Sequence, residues 1–305
     1  MLKNCLIVPV HREKAHWFLG FLKSVFDNRT LLAAPLDFDI IVATSNDEEL
    51  GFFERLVAAQ NNTSRIILFS VDNYIERVLS FPRLLGRYRD NADGAVINIK
   101  KFTALHLVMI GQYDFAACID CDAIAIADTN GMFDKLMYNY ELGMYFGTLH
   151  NEPLFVDNIS AFSRGLFSDA DQVLINNITS FGQIYHWFFD VPTYRRKDIE
   201  GLFEYMIQLH GSLEEWLIKL KWGTFDHIVF LYWRCLHGNS KLIDYHADLE
   251  ISSIPEKLKG DELIQISRRY AYYPIWMSTK EFVDYPQAQQ KFPHLRLLFH
   301  CDRFN

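Results

Sequence analysis

An α/β fold with a mostly parallel central sheet flanked by helices is the architecture this sequence predicts, on three observations. Short apolar runs rich in β-branched residues alternate with longer segments of helical periodicity through the first half of the chain. Their order, β-α-β-α-β, is that of strands paired in parallel with helices covering both faces. Half of the 305 residues are hydrophobic and 15% are aromatic, which supplies the apolar surface for a large core.

The elements follow in order. Cys5–Val10 reads as the first strand. Ala15–Val25 has helical spacing, with Trp17, Phe18, Phe21, Leu22 and Val25 on one stripe. Phe38–Ala43 is a second strand, Asp47–Ala59 a helix with Leu50, Phe53 and Val57 as its apolar face, and Arg65–Phe69 a third strand. Arg83–Gly94, with Gly86, Asp90, Asn91, Asp93 and Gly94, reads as a loop. A helix over Lys101–Ile110 leads into a fourth strand, Phe115–Ile126. The second half is less regular. Strands are expected at Tyr140–Gly147 and Ala161–Ser163, helices at Arg196–Leu209, Leu213–Leu220 and Ile228–Leu236, and late strands at Leu242–Tyr245 and Leu263–Ser267. Without an internal repeat or a clear linker, 1–305 reads as a single domain.

Composition narrows the function. A formal net charge of −8 argues against a nucleic-acid-binding surface, which needs a basic footprint, and leaves room for a local basic pocket. The apolar run Leu6–Val10 ends at once in His11-Arg-Glu-Lys14, too short for a secretory core. No stretch reaches the roughly 18–20 apolar residues of a membrane helix. A soluble, cytoplasmic protein is the expectation, and the Asn-x-Ser/Thr triplets at Asn28, Asn61, Asn62, Asn158 and Asn177 then carry no sugar. Five scattered cysteines do not make a disulfide framework. Cys118 and Cys121 form a Cys-x-x-Cys, but inside a strand-like run, where positions three apart face opposite sides and neither a redox helix start nor further zinc ligands accompany them.

Three Asp-x-Asp triplets occur, and position separates them. Asp37/Asp39 stands at the start of a strand, and Asp169/Asp171 in a polar stretch that reads as a solvated loop or helix start. Asp120/Asp122 ends the run Phe115-Ala-Ala-Cys-Ile119 and precedes apolar Ala123, Ile124 and Ile126. That is the carboxyl end of a strand, beyond which parallel sheets place their ligands. Two acids between apolar runs are costly to bury without a partner. Residues i and i+2 of a strand share a face, so both carboxylates can reach one ion or ligand. Hard oxygen donors suit Mg²⁺ or Mn²⁺, often shared with substrate phosphates. The bland alternative is a turn or cap pair at a strand end.

The string Asn98-Ile-Lys-Lys-Phe-Thr-Ala-Leu-His106, followed by Gln112-Tyr-Asp-Phe-Ala-Ala-Cys-Ile-Asp-Cys-Asp122, resembles a segment of glycosyltransferases of the GT-A fold. There a helix bearing a basic residue leads into a Tyr-Asp turn, an apolar strand and the Asp-x-Asp motif. Leu6-Ile-Val-Pro-Val10 is similar to the first, nucleotide-contacting strand of that fold, and the likeness covers about residues 4–165. It implies a Rossmann-like GT-A fold, with 1–130 as the nucleotide-sugar-binding half and 131–305 as the acceptor-binding half, its C-terminal tail closing the site. Asp122 would ligate Mn²⁺ or Mg²⁺, and Asp120 the metal or the ribose. Main chain around Pro9, Val10 and His11 would hold the nucleotide. Lys101 or its neighbour Lys100 would meet the pyrophosphate, although lysines at a helix start also read as a solvated face. His300, in Phe299-His-Cys-Asp302, would complete the metal shell, with Asp302 as its substitute.

The implied donor is a UDP-sugar and the implied acceptor a glycan or other hydroxyl compound. A cation at the leaving nucleoside diphosphate stabilises the charge that builds there. An inverting transfer also needs a carboxylate base; Asp226, just before the Ile228–Leu236 helix, is the first candidate, with Asp190 and Glu152 next. The bland reading of Asp226, a helix cap or first-turn acid, is the stronger one from sequence. The aromatic clusters Tyr185–Phe189 and Tyr270–Trp276 read as core before sugar platforms. Two alternatives stand beside this. A haloacid-dehalogenase-like phosphatase also sets Asp-x-Asp after an apolar strand, but usually on the first strand, and Ala123-Ile124 replaces the Thr or Val expected after it. A non-catalytic nucleotide-sugar-binding module would keep Asp120 and Asp122 and lack a base.

Overall fold

The chain opens with strand β1 (Asn4–Pro9), helix α1 (Ala15–Asp27), strand β2 (Asp39–Thr44), helix α2 (Asp47–Ala58) and strand β3 (Ile66–Ser70). In this computed structural model the described residues are 2–28, 35–60, 63–142, 144–149, 153–179, 184–185, 191–238, 240–244, 268, 272–274, 290 and 293–299. A short α3 (Val71–Asn73) runs into π-helical Tyr74–Leu79, followed by α4 (Pro82–Arg89), α5 (Val96–Ile110) and β4 (Phe115–Cys118). Next come β5 (Ile124–Ala125), α6 (Met132–Glu141), β6 (Met144–Leu149), α7 (Pro153–Arg164), α8 (Asp169–Ile178), β7 (Ile184–Tyr185) and β8 (Thr193–Arg195). The chain continues through α9 (Arg196–His210), α10 (Leu213–Leu217), α11 (Asp226–His237), β9 (Lys241–Asp244), β10 (Tyr272–Pro274) and β11 (Leu297–Phe299).

The central sheet has the order β3-β2-β1-β4-β8. Its first three pairings are parallel, and only β8 runs antiparallel, against β4. This is the α/β, mostly parallel sheet that the sequence predicts. Residues of β1, β2 and β4 are buried almost throughout, which is why these strands read as continuous apolar runs rather than alternating ones. Phe18, Phe21, Leu22 and Val25 of α1 are buried and Trp17 is half-buried, so the stripe is as expected. Helix α5 buries eight residues, among them the polar Asn98, Lys100 and Thr103. A helix that buries polar side chains needs partners for them, and those partners build the site. Among the described residues no helix is long and apolar enough to cross a membrane.

Several expectations are corrected. Arg83–Gly94 is not a loop: Pro82 opens α4, whose Leu84, Leu85 and Tyr88 face the core. The turn comes after it, where Asn91, Asp93 and Gly94 adopt positive φ, and a Cβ on Gly94 would stand 3.1 Å from Cβ of Trp222. Ala161–Ser163 lies inside α7, and Tyr140 lies in the last turn of α6, so the strand there starts only at Met144. The helix at Lys101 begins five residues earlier, at Val96. The run Phe115–Ile126 is not one strand but β4 and β5 with a turn between them. Leu263–Ser267 falls outside the described residues. A small sheet of β10, β11 and β5 returns the late chain to the acid pair: Leu298 pairs with Ile124, and Leu297 with Ala125.

Candidate active site

A cavity of about 340 Å³ opens at the carboxyl ends of β1 and β4. Pro9, Val10, His11 and Lys14 line one wall, Asp120, Cys121 and Asp122 another, and Val96, Ile97 and Lys100 of α5 the third. All of the residues expected from the first strand and from the acid pair therefore meet in one place, as does Lys100.

The two carboxylates are brought together by a turn, not by strand alternation. Ile119 N–H still donates to Ile7 O at 3.0 Å, extending the β1–β4 pairing, and Ala123 N–H then reaches back to Asp120 O at 3.4 Å. Asp122 is 4% exposed, whereas the Asp120 side chain is 38% exposed. Cys121 between them is buried; burial first, then the neighbouring Asp122 and Asp120, push its thiol up to about 12. It stays a protonated thiol at neutral pH, a poor soft ligand. Cys118 is pushed up by burial as well, so the Cys-x-x-Cys is a pair of inert thiols. The donors facing the cavity are thus carboxylate oxygens. This chemistry fits a hard divalent cation whose other positions are left to phosphate or water. Among the described residues no group of three metal-ligating side chains forms.

Behind Asp120 lies a buried charge relay. Lys101 Nζ is 3.0 Å from Asp120 Oδ1 and 3.8 Å from Asp226 Oδ1. Neither Lys101 nor Asp226 lines the cavity; Lys101 touches it only through Asp120. Burial works against the Lys101 ammonium, but Asp120 and Asp226 outweigh it and hold its pKa above the ordinary value. Asp226 is 1% exposed. Burial opposes its ionisation, and Lys101, His227 and Tyr194 together outweigh that and hold it well below the ordinary carboxylate range. Tyr194 of β8 donates its hydroxyl to Asp226 Oδ2. His227 Nδ1 stands 3.8 Å from Asp226 Oδ1, and burial lowers the His227 pKa, so this imidazole is neutral at pH 7. Asp226 is not the helix cap: Phe225 holds the N-cap position of α11, without a side-chain cap. The loop before α11 is tied to α5 instead, where Asn98 Nδ2 donates to Lys221 O at 2.8 Å and Trp222 O at 2.9 Å.

Lys100 points the other way. Its Nζ donates to Val10 O at 2.7 Å and lies 4.0 Å from Glu49 Oε2. It is 1% exposed, and burial lowers its ammonium to about 8 against the pull of Glu49. Glu49, buried at the start of α2, accepts from Ser45 N–H at 2.9 Å and from Arg12 N–H at 3.2 Å. Burial raises its pKa, but Ser45, Lys100 and Arg12 outweigh this and leave it lowered. His11 remains exposed, its Nδ1 3.5 Å from Glu49 Oε1.

Glu49, Tyr194 and His227 were not legible as site residues in the sequence. Only the adjacency of His227 to Asp226 was available as a signal. Asp190, Glu152, His300 and Asp302 lie outside the described residues. The other two acid pairs serve structure. Asp39 binds Arg65 at 3.0 Å and takes the Tyr113 hydroxyl at 2.8 Å. Asp37 accepts Gly131 N–H at 2.7 Å. Asp169 and Asp171 open α8, capped by Ser168.

A mostly parallel central sheet with an acid-lined cavity at its carboxyl edge defines an α/β protein with a candidate ligand site there. No protein-family model matches the sequence, and no curated protein matches it. Solved structures similar to it include mouse xyloside xylosyltransferase 1 in its apo form, at 8% identity over 99% of this chain and 98% of that one, with a TM-score of 0.49. The WbbM bifunctional glycosyltransferase, apo, is 12% identical over 98% of this chain and 46% of that one, with a TM-score of 0.45. The galactosyltransferase LgtC in complex with donor and acceptor sugar analogues is 10% identical over 97% of this chain and 87% of that one, with a TM-score of 0.39.

Proposed function

We propose that this chain is a metal-dependent glycosyltransferase that takes a sugar from a UDP-sugar and passes it to a hydroxyl acceptor such as a glycan. The observation that carries this reading is the cavity itself. An Asp120/Asp122 pair and the Pro9–His11 turn face each other at the carboxyl ends of two adjacent parallel strands. Asp122 and Asp120 would hold Mn²⁺ or Mg²⁺, which when bound would offset the negative charge on the departing nucleoside diphosphate. His300 is kept as a further ligand; in support, β11 ends at Phe299 and pairs with β5, two residues after Asp122.

The chain's own residues divide the remaining work. Lys101 holds Asp120 through Oδ1, and its charge limits the repulsion between Asp120 and Asp122. Asp226, buried and absent from the cavity lining, acts through Lys101 as a positioning residue, which leaves Asp190 and Glu152 as the candidates for a dedicated base. Val96 and Ile97 give the cavity an apolar side against which a nucleoside fits better than a bare phosphate ester.

The test is calorimetry of UDP with and without Mn²⁺, together with turnover of a UDP-sugar panel and of p-nitrophenyl phosphate. Tighter UDP binding with Mn²⁺ and metal-dependent UDP-sugar turnover are expected. Equal UDP affinity in both conditions removes the metal role. Hydrolysis of p-nitrophenyl phosphate without UDP-sugar turnover replaces the transferase by a phosphatase.

A further inference from the structure

The turn that leaves β1 is already committed before any ligand arrives. Val10 N–H donates to Ala43 O at 3.0 Å, and Val10 O accepts from Lys100 Nζ at 2.7 Å. Arg12 N–H donates to Glu49 Oε1 at 3.2 Å, while the other oxygen of Glu49 takes Ser45 N–H at 2.9 Å. Lys100 and Glu49 stand on α5 and α2, and their charges approach to 4.0 Å beneath the turn. A buried ion pair adds little net stability compared with a well-packed apolar pair, so stability alone does not account for it. An apolar pair, however, has nothing to offer a carbonyl and two N–H groups. The ammonium and the carboxylate side by side grip Val10 O, Arg12 N and Ser45 N at once.

Resting on the reading that this cavity takes a nucleoside diphosphate, we propose that Lys100 and Glu49 are positioning residues: a buried clamp that fixes the Val10–Arg12 turn as a preformed wall for the donor nucleotide. Fixing a binding wall in advance removes the ordering cost from the binding step. It also leaves the Lys100 ammonium held by Val10 and Glu49 rather than aimed as a first contact at phosphate.

The two roles predict different ligand patterns for one substitution. Glu49→Gln removes a negative charge beside the cavity while keeping the side chain's shape. If Lys100 were a direct phosphate contact, losing the pull of Glu49 on its ammonium would weaken UDP and leave uridine binding unchanged. As a clamp, Gln loses one of its two N–H partners, because its amide nitrogen cannot accept, and the wall loosens. UDP and uridine affinities by calorimetry are both expected to fall about tenfold, a usual size for the loss of a second-layer support. Unchanged uridine binding overturns the clamp. Lys100→Met, which keeps the buried stem, gives a second arm in case Glu49→Gln does not fold. It is expected to weaken UDP and uridine by the same factor, and a loss confined to UDP makes Lys100 a phosphate ligand instead. If the wild type binds neither probe, the nucleotide reading fails by itself. Hydrogen exchange at the Val10 and Arg12 amides then decides the clamp. Faster exchange there in both variants, over an unchanged background, supports it, and wild-type protection in both overturns it.

Discussion

Removing the Lys101 ammonium is the most direct probe of the charge relay behind Asp120. In Lys101→Met the stem is kept and Asp226 is left buried without its main counter-charge. Its distance from Lys101, 3.8 Å, corresponds to about 4 kcal/mol of attraction at an effective dielectric near 20. Asp120 lies closer but is 38% exposed, so its share is discounted to about 1 kcal/mol or less. Breaking a buried pair from one side costs roughly 3–5 kcal/mol, in the same range. A loss of about 3–5 kcal/mol in urea unfolding at pH 8 is therefore expected. The pH dependence has a definite sign. In the wild type the folded pKa of Asp226 is depressed, so its contribution is present above the unfolded value near 3.9 and is lost only in stronger acid. In the variant, burial is left to dominate and the folded pKa rises above the unfolded one. The folded variant then takes up a proton as pH falls, so its deficit shrinks from pH 8 towards pH 4. The sign is the same whether that proton settles on Asp226 or on the adjacent His227. Lys101→Met/Asp226→Asn, with the buried charge gone, should regain at least half of the loss. A deficit below about 1 kcal/mol at pH 8, or one that is equal at pH 5 and pH 8 and not relieved by Asn, refutes the reasoning.

Asp122→Asn should abolish the Mn²⁺-dependent part of UDP binding, a loss of at least about tenfold by calorimetry, while leaving metal-free binding within about twofold. Tyr194→Phe removes a hydroxyl bonded to an ionised, buried carboxylate and should cost about 1.5–3 kcal/mol in urea unfolding. Gly86→Ala in α4 meets no atom within 4 Å and should stabilise by about 0.5–1 kcal/mol through helix propensity. Gly201→Ala in α9 would instead bring a Cβ to 2.6 Å from Trp233 Cζ2 and should cost about 1–3 kcal/mol. An unchanged or raised thermal melt for Gly201→Ala would contradict the packing around α9, and a lowered one for Gly86→Ala would contradict the open face of α4.

The first half of the fold was legible because its periodicities are strong. From β1 to β3 each expected boundary lies within about two residues of the observed one, ordinary scatter for element ends. Errors arose where local signals conflict with tertiary packing. Gly86 and the polar run after it disguised α4, a helix held by the burial of Leu84, Leu85 and Tyr88. Ala161-Phe162-Ser163 is too short a segment for periodicity alone to assign, and it belongs to a helix. The acid pair was found by its place at a strand end, although the strand it was assigned to is broken by a turn at Asp120. Glu49 was invisible as a site residue for a simpler reason. It lies 51 positions from Lys100, and only the packing of α2 and α5 onto the same sheet, both against β2, brings their charges together.

Lys100 and Lys101 are indistinguishable in the sequence, yet they serve different walls, and helix geometry explains why. Successive residues of an α-helix point about 100° apart. Helix α5 packs against β1 and leads directly into β4, so one step along it turns a side chain from the end of one strand to the end of the other. Lys100 reaches Val10 at the close of β1, and Lys101 reaches Asp120 just past β4. Each lysine is matched from behind by a buried carboxylate, Glu49 for the first and Asp226 for the second. Each carboxylate is in turn held by groups that have no contact with the cavity: Ser45 N–H for Glu49 and the Tyr194 hydroxyl for Asp226. The two walls are therefore referenced to one rigid helix, and the gap between turn and acid pair is set by α5 rather than by either loop. A single-residue insertion within α5 ahead of Lys100 would rotate both lysines together and take both walls out of register at once. Substituting either lysine alone should disturb only its own wall.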